Sequence, residues 1–259
     1  MLEQITPLVI TYNEERNIER SLQRLTWANR IIIVDSFSDD ATLTILASFP
    51  QVEVFQRKFD TFAAQCNFGL QKIHSEWVLS LDADYILTTD LVQELHQIQD
   101  LPDINGYFVK FKYCVFGKPL RGTLLPKRQI LYRVKKAHYE VDGHAHRVVV
   151  QGKSDQLKSF VYHDDRKPVH RWFLAENKYS VVECQKLLYT TDSKLSFADQ
   201  IRRKQILAPF IVLIYCLILK GGILDGWQGW YYAFQRMLAE LLLSINLTYF
   251  IHDKYENHN

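Results

Sequence analysis

Cysteine is scarce in this chain of 259 residues, and its positions form no recognisable site. The four cysteines, Cys66, Cys114, Cys184 and Cys216, lie far apart, and neither a CxxC motif nor a Cys/His ligand spacing occurs. We therefore expect neither a structural zinc site nor a disulfide framework. A set of unpaired thiols of this kind fits the reducing cytosol best.

Targeting signals and long apolar runs are also missing. The N-terminus has no basic segment followed by a short apolar one, so we expect no signal peptide. The uncharged run at 206–219 has 14 residues. As a helix it would span about 21 Å, less than the roughly 30 Å hydrocarbon core of a bilayer. The composition, 47% apolar and 23% charged, excludes a disordered chain.

Acidic residues are absent between positions 104 and 139, where nine lysine and arginine residues occur. This gap belongs to a wider asymmetry that the formal net charge of +2 conceals. Residues 1–103 carry 7 basic and 16 acidic side chains, whereas residues 104–259 carry 24 and 13. We interpret the two parts as surfaces with different partners.

Strands and helices alternate along the first hundred residues. Apolar, β-branched runs predict strands at 8–10, 30–35, 52–55 and 77–81. Helical spacing predicts helices between them at 14–25, 38–47 and 62–73, with Ser38 or Asp39 capping the second. This order predicts an α/β fold with a parallel sheet. Further along, the pattern predicts strands at 129–134 and 147–150 and a helix at 172–188.

Polar side chains follow three of these strands where each strand ends, which is where such sheets bind ligands. Thr11 and Asn13 follow the first strand, Asp35 the second, and Asp82 and Asp84 the fourth. Two carboxylates one residue apart suit Mg²⁺ or Mn²⁺, which complete their coordination with water and phosphate oxygens. A cation there would neutralise a departing diphosphate. The alternative is that these residues are only turn formers and caps.

Four segments resemble a known family in order and spacing. They read TYNEE at 11–15, VDSFSDDAT at 34–42, QCNFGL at 65–70 and LDAD at 81–84, and they match the family 2 inverting glycosyltransferases of the GT-A fold. YHDDRKP at 162–168, with the later GILDGW at 222–227, resembles more narrowly the bacterial lipopolysaccharide-core β-glucosyltransferase-like branch. The resemblance covers nearly the whole chain.

The resemblance implies a Rossmann-like mixed sheet flanked by helices. From the residue pattern of the C-terminal part we expect an amphipathic or hydrophobic helical region that associates with a membrane. Residues 1–103 would form the nucleotide-sugar-binding half of the domain, and residues 104–200 the acceptor-binding half. Residues 201–259 would form a C-terminal helical region for membrane contact or oligomerisation.

The resemblance also implies roles for individual residues around a UDP-sugar and a Mg²⁺ or Mn²⁺ ion. Asp84 of the D-x-D motif would be the principal metal ligand, assisted by Asp82. His163 would approach the metal or the diphosphate, although a purely structural histidine is an equal alternative. Separately from the resemblance, the positive charges of Arg166 and Lys167 suit the diphosphate leaving group. The full set expected for donor binding is Thr11, Tyr12, Asn13, Glu14, Asp35, Gln65, Asn67, Asp82 and Arg166.

The general base is the point at which the chain departs from the family pattern. An inverting transfer needs a group that takes the proton from the acceptor hydroxyl. Many relatives place an acid in the region that corresponds to 139–147. Here Asp142 is the first candidate and His146 the second, because histidine titrates near neutral pH. Glu140 is a third, His144 would orient the base or bind phosphate, and a surface turn without chemistry is the alternative.

The C-terminal region combines an apolar run with aromatic and basic neighbours. Arg202, Arg203, Lys204 and Lys220 flank the run at 206–219, and Trp and Tyr residues follow at 227–232. This pattern is typical of a membrane-interface anchor, and a helix pair covering the sheet or a homo-oligomer interface is the alternative. We expect a cytoplasmic protein bound peripherally or monotopically to the inner face of the membrane.

The acid-free basic stretch has its own candidate partners. Its positive charge suits anionic lipid headgroups or a phosphorylated glycolipid acceptor. The alternative is a strand face that is exposed to solvent and binds no partner. No nucleic-acid-binding motif accompanies it, so we expect no nucleic-acid partner.

Three functions follow from these observations. The first is a metal-dependent inverting hexosyltransferase that moves a sugar from a UDP-sugar to a lipid-linked or membrane-proximal glycan, as in lipopolysaccharide or glycolipid biosynthesis. The second is a polyprenyl-phosphate glycosyltransferase, whose lipid phosphate acceptor needs no base. The third is a non-catalytic, nucleotide-binding membrane adaptor.

Overall fold

The predicted strands and helices can be compared with a computed structural model, which describes residues 2–99, 101–142, 145–191 and 195–256. At 141, 142, 145, 146 and 253–256 only the backbone is described. The chain divides into two units. The first consists of Met1–Pro119 and Leu125–Lys167, and the second of Leu120–Leu124 and Pro168–Asn259.

The first unit alternates strands and helices and then continues mainly as strands. After a 3₁₀ turn at Leu2–Gln4, its elements are β1 (Ile5–Thr11), α1 (Ile18–Leu22), β2 (Ile31–Asp35), α2 (Thr42–Leu46), β3 (Val52–Gln56), α3 (Phe62–Leu70), β4 (Trp77–Asp82), β5 (Tyr85–Leu87) and α4 (Thr89–Gln97). The later elements are β6 (Ile104–Val115), β7 (Lys118–Pro119), β8 (Arg128–Arg133), a 3₁₀ turn (Val134–Lys136), β9 (Ala137–Asp142), β10 (Ala145–Val150) and β11 (Lys153–His163).

Among the described residues, nine strands form one sheet in the order β3-β2-β1-β4-β8-β6-β11-β5, with β7 paired to β6. The first four strands of the chain run parallel to one another. β8 runs antiparallel to β4 and β6, and β5 runs antiparallel to β11. β9 and β10 form a separate antiparallel hairpin. The α/β prediction is confirmed, and the complete sheet is mixed, as the resemblance implies.

The central strands are continuous apolar runs because both faces of the sheet are covered. Alternate residues of β2 point to opposite faces: Ile31 and Ile33 join one buried cluster, while Ile32 and Val34 join the other. α1 and α4 cover the first face, and α3 covers the second. The core therefore holds the strands in place up to the polar residues at their ends.

Two helices begin later than the sequence predicts, because polar side chains at the predicted starts bond elsewhere. Asn13 has a φ of 57°, and the helix predicted from 14 is reduced to α1. Ser38 bonds Asp35 and Asp39 bonds Asn13, so neither caps α2. The helix predicted from 38 accordingly begins at 42. Side chains that organise the strand ends are thus withdrawn from helix capping.

The second unit is helical. Its elements are α5 (Val169–Tyr189), α6 (Phe197–Arg203), α7 (Leu207–Ile214), a π-helical turn (Tyr215–Leu219), a 3₁₀ turn (Gly222–Asp225) and α8 (Trp227–Glu256). α8 approaches the 3₁₀ turn closely at Gly229, where an added Cβ would lie 1.8 Å from the carbonyl oxygen of Gly222. Arg202 bonds both carboxylate oxygens of Glu240 and so joins α6 to α8.

The apolar run at 206–219 forms α7 and the π-helical turn rather than one long helix. Within the described ranges, no helix combines the length and the apolar character needed to cross a membrane. The helices of the second unit all lie within its longer segment, Pro168–Asn259. The functional division into 1–103, 104–200 and 201–259 remains a prediction.

Candidate active site

The carboxyl ends of β1, β2 and β4 meet at one edge of the sheet. The parallel registers place Thr11 beside Asp35 and Ile10 beside Asp82. The polar strand ends therefore converge, which makes this edge the candidate site.

Asp35 is fully buried beneath this edge. Its carboxylate accepts hydrogen bonds from Thr11 Oγ1 at 3.0 Å, Ser38 Oγ at 2.5 Å and Gln56 Nε2 at 3.1 Å. These donors tie the end of β1 and β3 to the loop after β2. The carboxylate organises the loop, and its contact with a nucleotide remains a prediction.

Four other residues implied for donor binding lie around the same loop. Tyr12 exposes 53% of its surface, and Asn13 exchanges two hydrogen bonds with Asp39, at 2.6 and 2.9 Å. Gln65 is buried and donates to the loop after β2 at 2.8 Å. Asn67 exchanges two hydrogen bonds of 2.9 Å with the backbone of β9. Of these four residues only Tyr12 is exposed. Their roles toward a donor remain predictions.

The two carboxylates of the D-x-D motif lie in different surroundings. Asp82 ends β4, is 36% exposed and lies 3.6 Å from Arg128 Nη1. Asp84 lies between β4 and β5, where the antiparallel pairing of Tyr85 with His163 brings the end of β11 beside it. His163 Nε2 is 3.0 Å from Asp84 Oδ2. The other oxygen, Asp84 Oδ1, is buried without a hydrogen-bond partner among the described residues.

Asp84 and His163 form a charged pair. Burial by itself would raise the pKa of Asp84, but the charge and hydrogen bond of His163 outweigh burial and lower this pKa to about 2. Burial opposes the charge on His163 as well, yet the facing carboxylate raises the pKa of the histidine above its usual 6.5. The pair therefore consists of an ionised carboxylate with one oxygen bonded to His163 and the other, Oδ1, without a partner among the described residues.

The chemistry of Asp84 Oδ1 is compatible with a divalent cation, because no donor among the described residues completes this buried oxygen. A buried carboxylate oxygen without a donor is costly unless a ligand completes it. In this arrangement His163 holds the other carboxylate oxygen, and its imidazole would ligate a metal only after losing its proton. No cluster of three or more His, Cys, Asp or Glu side chains placed to hold a metal occurs in the described part of the chain. A cation here would thus depend on substrate oxygens for most of its coordination.

Glu14 lies in a second polar cluster, after the end of β1. It is 8% exposed, it accepts a hydrogen bond of 2.9 Å from Asn17, and it forms an ion pair with Lys167. Burial raises the pKa of Glu14 to about 7, although the Lys167 ammonium group acts in the opposite direction. The carboxylate thus titrates in the physiological range, and its predicted role in donor binding remains a prediction.

We expect the Glu14→Gln variant to lose part of the pH dependence of stability. The pKa in the folded state, about 7, lies above the ordinary 4.5, so the folded protein retains a proton that the unfolded chain releases. Wild-type stability should therefore fall as pH rises from about 4.5 to 7. In urea unfolding at pH 5 and pH 8, the wild type should lose about 1–3 kcal/mol more than the variant. Glu15→Gln, at the exposed neighbouring position, is the control, and an equal pH dependence in wild type and variant would contradict the prediction.

Asp164 forms a third cluster that the sequence analysis missed. It accepts from Arg20 Nη1 at 2.6 Å, from Arg166 Nε at 2.8 Å and from the backbone N–H of Gly117 at 3.2 Å. Arg166, which we expect to hold the diphosphate, donates to Asp164 through two nitrogens. The YHDDRKP motif at 162–168 was the only signal for this cluster, and it did not identify Arg20 as the partner.

The candidate bases lie on the hairpin of β9 and β10. The backbone of Asp142 ends β9, and the backbone of His146 lies opposite Val141 in β10. The side chains of Asp142 and His146 lie outside the described residues, as does His144 altogether, so the choice of base remains a prediction. Glu140, the third candidate, is exposed, and its carboxylate lies 2.9 Å from His138 Nε2.

Relatives of known sequence are glycosyltransferases of bacteria and phage. LpsC of Rhizobium meliloti (strain 1021), named a lipopolysaccharide core biosynthesis glycosyltransferase, is 23% identical over 188 residues, which are 69% of this chain and 70% of LpsC. An uncharacterized glycosyltransferase of Rickettsia felis (strain ATCC VR-1525 / URRWXCal2) is 29% identical over 202 residues, 72% of this chain and 71% of the relative. In a Rickettsia bellii glycosyltransferase the match spans only 33% of the relative.

Solved structures show the fold, and the family profile shows the membership. S. aureus TarS 1–349, crystallised with UDP-GlcNAc, superposes with a TM-score of 0.51 at 17% identity, over 92% of this chain and 81% of TarS. This likeness confirms the overall GT-A-like fold. The profile of "Glycosyl transferase family 2" matches residues 8–147, which is more than half of the chain. The protein is therefore a member of glycosyl transferase family 2.

Proposed function

We propose that this family 2 glycosyltransferase is a metal-dependent, inverting hexosyltransferase that transfers a sugar from a UDP-sugar to a glycan of the lipopolysaccharide core or a related glycolipid. The observation that carries the proposal is Asp84 Oδ1, a buried carboxylate oxygen without a partner among the described residues, at the edge where β1, β2 and β4 end. The names of LpsC and of the UDP-GlcNAc complex of TarS support the choice of acceptor and donor.

Asp84 and His163, with Asp82 nearby, would hold the cation. When bound, a divalent cation neutralises the negative charge that develops on the diphosphate leaving group. Asp35 fixes the loop after β2 through its three side-chain donors, so Tyr12 is presented at the edge where the nucleoside would bind. The chain thereby orients the donor before any bond changes, which is a major contribution to transfer reactions.

The acceptor hydroxyl must lose a proton, and we propose Asp142 or His146 as the base. A variant carrying Asp142→Asn and His146→Gln should transfer at least a hundredfold more slowly, since positioned general bases contribute about 10²–10⁴-fold. Transfer is measured with a radiolabelled UDP-sugar and a glycolipid extract, and UDP binding serves as the control for folding. Activity close to wild type would contradict a hydroxyl acceptor with either base and would favour a phosphate acceptor, which needs no base.

We also propose that the second unit binds an anionic membrane surface from the cytoplasmic side. Within the described part of that unit, eleven apolar side chains between 207 and 234 are each at least 40% exposed. The only acid of that segment, Asp225, is buried and bonds Arg121. The exposed surface of this segment therefore contains apolar and tryptophan side chains, with cations nearby and without an exposed acid. Such a surface is suited to contact with an anionic bilayer. The apolar residues are Leu207, Phe210, Ile211, Ile214, Ile218, Leu219, Ile223, Leu224, Trp227, Trp230 and Phe234.

Replacing Ile214, Ile218 and Leu219 together by serine should weaken binding to phosphatidylglycerol-containing vesicles at least tenfold. The reason is the loss of three exposed apolar side chains at about 0.8 kcal/mol for each buried CH₂. Co-sedimentation measures the effect, and Val54→Ser with Leu101→Ser, at exposed apolar positions of the first unit, is the matched control. Equal binding by the variant would contradict the proposal. The proposal would also be contradicted if light scattering showed that the wild type is an oligomer, that the three substitutions dissociate it, and that vesicle binding is unchanged.

A further inference from the structure

A cavity of about 300 Å³ opens beside Asp82 in the first unit. It lies next to the D-x-D motif, and residues of β4, β5, β6, β8, β9 and β10 line it. Three cations line it, namely Lys127, Arg128 and Arg147, against the single carboxylate of Asp82. A concave surface with this excess of positive charge concentrates anions.

The guanidinium group of Arg128 is fixed in this wall. Its Nη1 donates to the hydroxyl of Tyr85 at 2.8 Å and lies 3.6 Å from Asp82 Oδ2. Both contacts use one nitrogen, and the side chain stays 44% exposed. Arg128 therefore balances the charge of Asp82 and still faces the cavity with the remaining N–H groups of its planar fork.

In the described part of the chain, Lys127 and Arg147 are not paired with a carboxylate in the way that Arg128 is paired with Asp82. Lys127 Nζ bonds the neutral amide of Gln156 at 3.2 Å and lies 5.1 Å from the centre of the Phe108 ring. Arg147 is exposed at its position in β10. Glu140, which faces it across the hairpin, approaches His138 at 2.9 Å instead. Among the side chains that the structure describes, which do not include that of Asp142, no carboxylate is ion-paired with either cation.

We infer that this cavity binds a phosphate group of the acceptor. A phosphate offers several oxygens to two guanidinium groups and an ammonium group. Hydrogen bonds between ionised groups of this kind are stronger than those between neutral groups. Its position next to Asp82 places the bound acceptor beside the predicted donor edge. The inference rests on the proposed transferase function and sharpens it, because it names the acceptor as a phosphorylated one, either a sugar phosphate or a lipid phosphate.

The test uses the full chain saturated with UDP and Mg²⁺, so that the donor's own diphosphate position is occupied. Glucose 6-phosphate and farnesyl phosphate are titrated by calorimetry, with glucose and farnesol as their neutral counterparts. We expect at least one of the phosphates to bind tenfold or more tightly than its counterpart. The tighter of the two identifies the acceptor as a sugar phosphate or a lipid phosphate.

Variants assign the binding to the cavity. Lys127→Gln combined with Arg147→Gln should weaken phosphate binding at least tenfold and leave UDP binding unchanged. Lys135→Gln with Lys136→Gln, which removes two exposed cations outside the cavity, should change neither. The inference is overturned if the phosphates bind no better than their neutral counterparts, if both double variants lose binding equally, or if UDP displaces the phosphate probe. A chain that does not bind UDP at all would contradict the proposed function instead, and the same variants would then test the cavity on the UDP-free protein.

Discussion

Replacing Asp84 with asparagine is expected to reduce sugar transfer by roughly 10²–10³-fold while the protein stays folded. Asparagine has nearly the same shape but removes the negative charge from the buried oxygen that has no protein partner among the described residues. A lost metal contact at the leaving group costs several kcal/mol of transition-state stabilisation, and each 1.36 kcal/mol is tenfold in rate.

The measurement is release of UDP from a UDP-sugar in the presence of Mg²⁺ or Mn²⁺ and a glycolipid extract. Asp155→Asn is the matched control, because Asp155 is an exposed carboxylate on β11, the strand that also carries His163. Circular dichroism confirms that each variant is folded. Full turnover by folded Asp84→Asn would show that the D-x-D carboxylate does not serve the reaction.

The Asp164→Ala variant is expected to lose about 2–4 kcal/mol of unfolding free energy. Asp164 is 5% exposed and bonds Arg20, Arg166 and the backbone of Gly117. Removal of one partner from a buried ion pair typically costs about 3–5 kcal/mol, and we reduce this figure because both guanidinium groups remain about one third exposed.

Urea unfolding at pH 7 measures this loss, with Asp155→Ala as the control for removing an exposed carboxylate. A loss below about 0.5 kcal/mol, which is typical of surface substitutions, would contradict the assigned role. Because Asp164 follows His163 directly, we also expect weaker donor binding in the variant. Asp164 would then act as a positioning residue for the end of β11.

The parallel part of the fold could be predicted from the sequence because its signals are local. Runs such as 30–35 are apolar on both faces and end in an acid, which identifies both a buried strand and its polar end. The D-x-D motif at 82–84 could be predicted for the same reason, because it follows the buried strand at 77–81. Each of these predictions depends on residues that are neighbours along the chain.

The remaining contacts of the site depend on pairings between distant segments. Tyr85 aligns with His163 only because β5 crosses to the far edge of the sheet and pairs with β11. Asp82 meets Arg128 because β8 inserts antiparallel beside β4. Hydrophobic periodicity carries no information about which strands become neighbours in a mixed sheet, so only the resemblance identified His163. Arg128 was noticed merely as one member of a basic stretch.

The difference in charge between residues 1–103 and 104–259 corresponds in part to the structure of the site. The acidic first part supplies Asp35, Asp82 and Asp84 at the candidate donor edge. The acid-free stretch contributes Lys127 and Arg128 to the cavity beside it. Carboxylates and cations therefore lie on adjacent walls, an arrangement that suits a cationic metal on one side and an anionic acceptor on the other.

Calorimetric titration of the full chain with UDP, with and without Mn²⁺, measures whether Asp84 holds a metal that binds the donor. Wild-type protein should bind UDP with Mn²⁺ present, and binding should weaken at least tenfold when the metal is chelated or when Asp84 is replaced by asparagine. UDP binding that is equally tight with and without the metal, or no UDP binding by the folded protein, would contradict this role of Asp84.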